Sequence, residues 1–194
     1  MGLFKKGNFI KLEAKKGSLV QSIKHVDPEN PSDKSKTKWE TVNHKGYEGT
    51  ITGISEKPKK FGDTETAYFF VYMKDNDSDQ VAVIQFCVES YMAYTFFQRL
   101  TEIDVKKPVR LGVFAGKGDN PGTYAYMYQG GSKVEPSKTI PEPVKKKKAS
   151  GGNVTEWDSC VLAYREILKS LDFNVVGDAT EDTPAETVDE NIPF

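Results

Sequence analysis

The strongest constraint on this fold is an aromatic stretch of eight residues, Thr66 to Met73, which reads TAYFFVYM. It is too short and too aromatic for an ordinary helix, and side chains alternate between two faces in a β-strand. One face would carry Phe69, Val71 and Met73, and the other Tyr68, Phe70 and Tyr72. Both faces are apolar, so this strand is either buried on both sides or presents an aromatic platform to a ligand with π-faces.

The apolar patterns around this stretch predict four further strands and a helix. The strands are Tyr47 to Ile54, Gln80 to Val88, Val109 to Phe114 and Thr123 to Gln129, and the helix is Ser90 to Leu100 with Ser90 as its N-cap. Three strands, a helix and two strands is the order of the OB-fold, a five-stranded barrel that binds oligonucleotides. We therefore predict a mainly β protein with an OB-fold barrel at residues 47–129.

Composition divides the rest of the chain into four segments. Residues 1–46 are predicted to be an N-terminal extension with a hairpin around Lys15 to Ser18, packing on the barrel. Residues 130–153, rich in Pro and Gly and carrying four successive lysines, are predicted to be a flexible linker. Residues 154–173 are predicted to be an amphipathic helix, and residues 174–194 a disordered acidic tail.

The C-terminal helix has the clearest helical pattern. Thr155 is its predicted cap, and one face carries Trp157, Cys160, Val161, Tyr164, Ile167, Leu168 and Leu171. So apolar a face must pack against something. Docking on the barrel and self-association both remain open at this point.

Basic and acidic residues are separated along the chain. Residues 1–148 contain 25 Lys and Arg against 18 Asp and Glu, whereas residues 149–194 contain 2 against 10. A basic body with an acidic end favours a surface that binds a polyanion, and solvated charge on both parts is the alternative.

Aromatic and basic residues fall on the strands and loops that an OB-fold uses for binding. The candidates are Lys57, Lys59, Lys60 and Phe61 in a loop from Ser55 to Glu65, Tyr68, Phe70 and Tyr72 on the second strand, Arg110 on the fourth, Lys117 in the following loop, and Tyr124, Tyr126 and Tyr128 on the fifth. Stacking on such rings contributes about 1–3 kcal/mol per base, and Lys neutralises phosphates. The alternative for either tyrosine-rich stripe is that it packs under the N-terminal hairpin.

The end of the chain carries a more specific signal. Six acidic residues and no basic residue lie between Gly177 and Phe194. The last six residues, DENIPF, resemble the C-terminal tip of bacterial-type single-stranded DNA-binding proteins. In that family the tip docks on replication and repair proteins. The resemblance implies the same role here for Asp189, Glu190, Ile192, Pro193 and Phe194.

The resemblance covers the tip and the general architecture. The 46 residues before the first barrel strand, and the helix before the tail, make the chain look more like the divergent binding proteins of bacteriophages. The resemblance implies binding and protection of single-stranded DNA without sequence specificity, in DNA replication, recombination and repair. No apolar run approaches the roughly 20 residues that span a bilayer, and the first residues lack the apolar region of a signal peptide, so we expect a location in the cytoplasm, that of the host in the case of a bacteriophage. A homo-oligomer remains open.

Catalytic and metal-binding patterns are not evident in the sequence. His25 and His44 lack partners at metal-ligand spacing, and Asp75, Asp77 and Asp79 lack the Gly and Glu of a calcium loop. We therefore expect a protein that is not an enzyme and needs neither metal nor cofactor. The alternatives are an OB-fold accessory protein that anneals strands or binds RNA, and a small metal-dependent nuclease that uses the acids near Asp75.

Overall fold

The computed structural model describes residues 9–25, 38–61, 64–78, 80–117, 122–147 and 151–171. The predicted tail and its tip lie outside these residues. The described chain is mainly β, as predicted, with one nine-stranded sheet, one two-stranded sheet and two helices.

The elements follow one another as six strands, a helix, two further strands, three short strands and a second helix. The strands are β1 (Phe9–Lys15), β2 (Ser18–His25), β3 (Lys38–His44), β4 (Gly46–Phe61), β5 (Thr64–Lys74), β6 (Val81–Cys87), β7 (Val109–Ala115), β8 (Thr123–Gln129), β9 (Ser132–Lys133), β10 (Val144–Lys147) and β11 (Asn153–Glu156). The helices are α1 (Tyr91–Leu100), between β6 and β7, and α2 (Asp158–Ser170). Neither has both the length and the apolar character that crossing a membrane would require.

The large sheet is open, with strand order β3-β2-β1-β6-β5-β4-β7-β8-β9. Its neighbours are antiparallel except for β1 and β6, which pair in parallel. The tip of the β1–β2 hairpin reaches the far side of the sheet, where the Gly17 amide donates to Thr123 Oγ1 at 3.1 Å. A Cβ on Gly17 would lie 2.3 Å from the Ala115 amide nitrogen, so only glycine permits this approach.

The core lies between one face of the sheet and the two helices. Alternation along the strands supplies Leu12, Phe69, Val71, Met73, Ile84, Phe86, Leu111 and Met127, and α1 supplies Met92, Phe96, Phe97 and Leu100. Helix α1 begins as predicted, because Ser90 Oγ accepts a hydrogen bond from the Ala93 amide at 3.1 Å. The β1–β2 hairpin predicted around Lys15 to Ser18 is also confirmed.

The predicted loop from Ser55 to Glu65 is wrong. β4 continues to Phe61 and pairs with β5, which begins at Thr64, as a two-stranded ribbon that extends beyond β6. Pro58, which lacks an N–H group, is tolerated because this part of β4 has no partner other than β5 in the described sheet. Lys57, Lys59 and Lys60 therefore lie on a strand.

The segment predicted as a linker contains β9, β10 and the start of β11, and it buries Val134 and Ile140 in the core. β10 and β11 pair with each other, and Thr155, the predicted helix cap, lies opposite Lys145 in that pair. Helix α2 consequently starts later, with Trp157 at its N-cap and no side-chain cap hydrogen bond.

Helix α2 packs back on the sheet, which is the first of the two arrangements that the sequence left open. Tyr164 is fully buried and stacks on Phe97, with ring centroids 4.5 Å apart. Arg165 forms a bidentate ion pair with Glu56 of β4, at 2.6 and 3.0 Å. The helix is therefore fixed to the sheet by both apolar and charged contacts.

Candidate nucleic-acid interface

The face of the sheet that points away from the core is called the outer face below. Residues opposite each other on paired strands share a face, so the register assigns each side chain. Phe70 of β5 lies opposite Gln85 of the neighbouring strand β6, and Gln85 lies opposite Glu13 of β1. All three therefore belong to the outer face.

The register extends the outer face across the other half of the sheet. Lys74, which shares a face with Tyr72 on β5, lies opposite Thr50 of β4. Glu48, two residues earlier on β4, lies opposite Arg110 of β7, and Arg110 lies opposite Tyr128 of β8. The side chains of β5 and β8 that point away from the core are thus on one face of one continuous sheet.

The first stripe, Tyr68, Phe70 and Tyr72, lies on the outer face and is partly exposed. Phe69, Val71 and Met73, which alternate with it, are completely buried, so the predicted core face of this strand is confirmed. Both lysines of β4 nearest to Tyr68 lie beside it. Lys57 is its cross-strand partner, and Lys59 Nζ is 5.4 Å from its ring centroid.

The second stripe, Tyr124, Tyr126 and Tyr128, also lies on the outer face, opposite the buried Ala125 and Met127. Phe114 and Tyr91 extend it into a row of rings, each centroid 5.2–6.3 Å from the next, in the order Tyr91, Tyr124, Phe114, Tyr126, Tyr128. Gly112 makes this possible, because a Cβ there would lie 2.1 Å from an atom of the Tyr126 ring.

Phe114 is a candidate site residue that the sequence reasoning missed. It is 47% exposed and lies opposite Tyr124 on the outer face. Alternation within β7 carries the signal, because Leu111 and Val113 are buried and Phe114 must therefore point away from the core. The pattern of β7 could have revealed it, but a Phe at the end of a short strand reads as core.

A groove of about 660 Å³ lies at the Tyr128 end of the second stripe. It is lined by Glu48, Lys107, Pro108, Arg110, Tyr128, Gln129, Gly130 and Gly131. Arg110 is exposed and Tyr128 is 39% exposed. The groove thus places a guanidinium, a carboxylate, an accessible ring and the Lys107 ammonium group, which is 3.3 Å from Asp104 Oδ2, around one concave surface. The two cations and the ring suit a phosphate beside a stacked base.

A smaller cleft of about 270 Å³ is lined by Tyr68 of the first stripe and by Tyr91 of the row of rings. Thr123, Glu13 and Glu89 also line it. Burial raises the pKa of Tyr68, and the nearby Cys87 and Glu13 raise it further. Tyr68 is therefore a neutral phenol at physiological pH.

One predicted site residue lies on the other face of the ribbon, because Lys60 is the cross-strand partner of Glu65 there. Lys117 is exposed in the loop after β7. The Phe61 side chain and the tip residues lie outside what the structure describes.

The aspartates considered for a nuclease site form a turn. Asp75 Oδ1 accepts hydrogen bonds from the Asp77 and Ser78 amides, at 2.8 and 2.9 Å, and Asp79 lies outside the described residues. No group of three or more potential metal ligands lies together within the described chain.

No known protein family, curated protein or solved structure matches this chain. The function is therefore inferred from the residues of the outer face.

Proposed function

We propose that this protein binds single-stranded DNA without sequence preference. The observation that carries the proposal is that both aromatic stripes lie on the outer face of one continuous sheet. Every base has a π-face, so a row of accessible rings binds a single strand irrespective of sequence. In a duplex the bases are already stacked on each other and are not available to these rings.

Basic side chains complement the rings on the same face. Lys57 and Lys59 flank the first stripe, and Arg110 and Lys107 flank the end of the second. Cations beside stacking rings neutralise the phosphates between the stacked bases, which makes binding dependent on salt. This arrangement supports a polyanionic, base-bearing ligand over a protein or a small apolar molecule.

We further propose that β4 to β8 with α1 form a variant of the OB-fold. Three strands, a helix and two strands follow one another, and β4 pairs with both β5 and β7. The free edge of β6 is taken by β1 in parallel. The N-terminal extension would then complete the sheet on which the nucleic acid binds.

The acidic tail and its tip are proposed to recruit replication and repair proteins, on the resemblance of the last six residues alone. The protein would act by coating and protecting the strand, without catalysis. RNA binding or strand annealing is the alternative.

Fluorescence anisotropy with labelled oligonucleotides tests the proposal. We expect single-stranded DNA to bind far more tightly than duplex of the same length, and different base compositions to bind similarly. Equal affinity for duplex, or no binding at low salt, would refute it. Tighter binding of the ribo-oligomer would favour the RNA alternative, and magnesium-dependent cleavage would favour the nuclease.

A further inference from the structure

The two tryptophans of the chain lie in very different environments. Trp157 is 8% exposed and packs edge-on against Tyr91, whereas Trp39 is 61% exposed on β3, an edge strand of the sheet. Burying an indole removes a large apolar area from water, so a tryptophan this exposed is costly unless something covers it. The fold of the described residues gives no packing reason for Trp39.

The register places Trp39 on the outer face. Trp39 lies opposite Lys24 of β2, and Lys24 shares a face with Val20, four residues earlier. Val20 lies opposite Glu13, which the pairing of β1 with β6 assigns to the outer face. Trp39 is therefore on the same face of the sheet as the two stripes, although it lies outside β4 to β8.

Cations surround this part of the outer face. Lys24 Nζ is 5.9 Å from the centroid of the Trp39 ring, within the range of a cation–π interaction. Lys11 of β1 and Lys74 of β5 lie opposite Val83 and Val81 of β6, toward the same end of the sheet. An exposed indole beside ammonium groups repeats the chemistry of Tyr68 with Lys59.

Trp39 extends the outer face at the end opposite Tyr68. Within the described residues, β2 residues 21–25 pair with β3 and not with β1. Continuing the β1–β2 register sets Lys24, and with it Trp39, level with Phe9 and Val81 at the start of β6. The β4–β5 ribbon extends past the other end, where Tyr68 pairs with Cys87. The two ribbons thus bracket the outer face.

We infer that Trp39 is a further base-stacking position, at which a single strand already bound to the two stripes continues onto the β2–β3 ribbon. This inference depends on the proposed function and adds the N-terminal ribbon to the binding surface. The ligand is single-stranded nucleic acid, because a stacked base covers the indole while Lys24 and Lys11 contact the phosphates beside it.

Intrinsic fluorescence tests the inference directly, because the chain contains only two tryptophans. In the full-length Trp157→Phe variant, Trp39 is the sole tryptophan that emits, and we expect unlabelled oligothymidylate to quench it as a base stacks on the indole. In the Trp39→Phe variant, the buried Trp157 should respond little. Quenching of Trp157 alone, or of neither residue, would overturn the inference.

Affinity gives a second readout. Trp39→Ala should weaken binding of a long oligonucleotide by roughly 5- to 100-fold, and Trp39→Phe, which keeps an aromatic ring, should restore most of it. Thr41→Ala is the matched control, because Thr41 is exposed on the same strand and face. An unchanged affinity in Trp39→Ala, or an equal loss in Thr41→Ala, would contradict base stacking at Trp39.

The same samples distinguish failure of this inference from failure of the proposed function, and they also detect self-association. Anisotropy of a labelled oligonucleotide reports binding independently of tryptophan, so binding without a Trp39 response refutes only this inference, and absence of binding refutes the proposed function. If Trp39 emission instead changes with protein concentration in the absence of DNA, a second copy covers the β3 edge and the inference is wrong.

Discussion

Phe69 and Phe70 are neighbours in sequence but face opposite sides of β5. Phe69 is completely buried and contacts Phe86, Phe97 and Tyr164, whereas Phe70 is partly exposed on the outer face. One substitution at each position therefore separates stability from binding.

We expect Phe70→Ala to weaken oligonucleotide binding by about 1–3 kcal/mol and to leave thermal unfolding almost unchanged, because a stacking ring is removed from the surface. Phe69→Ala is the matched control. It should cost about 3–5 kcal/mol of unfolding free energy through the cavity that it leaves. If Phe70→Ala unfolds the protein and spares affinity wherever it folds, the first stripe belongs to the core.

Substitution of Gly112 tests the second stripe, because the Tyr126 ring occupies the space that a side chain at residue 112 would need. A methyl group at residue 112 would overlap the Tyr126 ring, so Gly112→Ala should displace that ring and weaken oligonucleotide binding. In a Tyr126→Ala background the same change should have almost no further effect, because the clash is gone. Additive losses of affinity in this double-mutant cycle would show that Gly112 acts through something other than Tyr126.

At the scale of elements, the β4–β5 ribbon carries its lysines on two faces. Lys57 and Lys59 are on the outer face beside Tyr68, and Lys60, the next residue, is on the other. Lys57→Ala and Lys59→Ala should each flatten the log–log dependence of affinity on salt, by about 0.7 for each phosphate that is no longer neutralised. Lys60→Ala is the control and should leave the slope unchanged. A slope that changes equally in all three variants would show that the faces of this ribbon are not distinguished by DNA.

Tyr164 of helix α2 is expected to make the folded state less stable at alkaline pH. Burial is the main reason that the pKa of Tyr164 is raised above its ordinary value of 10.0, because the phenolate is disfavoured inside the protein. Above about pH 10 the unfolded chain releases this proton first, so the folded state loses stability as pH rises and keeps it fully at lower pH.

Tyr164→Phe should therefore unfold at nearly the wild-type temperature at neutral pH and lose less stability at about pH 11, as followed by circular dichroism. Tyr47, Tyr68, Tyr94 and Tyr124 also have raised pKa values, so part of the alkaline loss should remain. Identical alkaline profiles for the variant and the wild type would mean that α2 does not bury this phenol in solution.

The pattern of apolar residues predicted most of the elements from β4 to β8. Each of these elements buries one face, and this imposes alternation on a strand and helical spacing on a helix. It failed where a strand is held by its partner rather than by apolar side chains. The Lys57 to Lys60 segment, with Pro58 in it, reads as a loop, yet β5 pairs with it throughout. The same is true of β10, which contains three lysines and has only exposed residues.

The candidate site was predictable in composition but not in arrangement. Both stripes follow from alternation, and their sharing one face depends on long-range pairing, above all on β4 pairing with both β5 and β7. No local signal gives the parallel pairing of β1 with β6, which adds the N-terminal strands to the same face. Trp39 therefore became a candidate only through the register.

At the scale of the whole molecule, the acidic tail and the basic face are expected to compete. The six acidic residues between Gly177 and Phe194 are proposed to compete with DNA phosphates for the lysines of the outer face, so deleting residues 177–194 should tighten DNA binding, most at low salt. Removing Phe194 alone is the control for charge. It should leave DNA affinity unchanged while abolishing capture of a replication or repair protein.

If the long deletion does not change affinity at low salt, the tail does not compete with DNA. If removal of Phe194 spares capture of such partners, the tip is not the recruiting element. The two outcomes are independent, because the first depends on charge and the second on an apolar end that fits a partner's pocket.

Bases are proposed to contact the outer face of the sheet at both aromatic stripes. Photocrosslinking of the full chain to single-stranded DNA that carries a halogenated uracil, followed by mass spectrometry of the crosslinked peptides, would identify the residues in contact. We expect crosslinks to Tyr68, Phe70 or Tyr72 and also to Phe114, Tyr126 or Tyr128, all of them competed by unlabelled single strand. Crosslinks confined to other surfaces of the protein, with neither stripe labelled, would show that bases do not bind at the stripes.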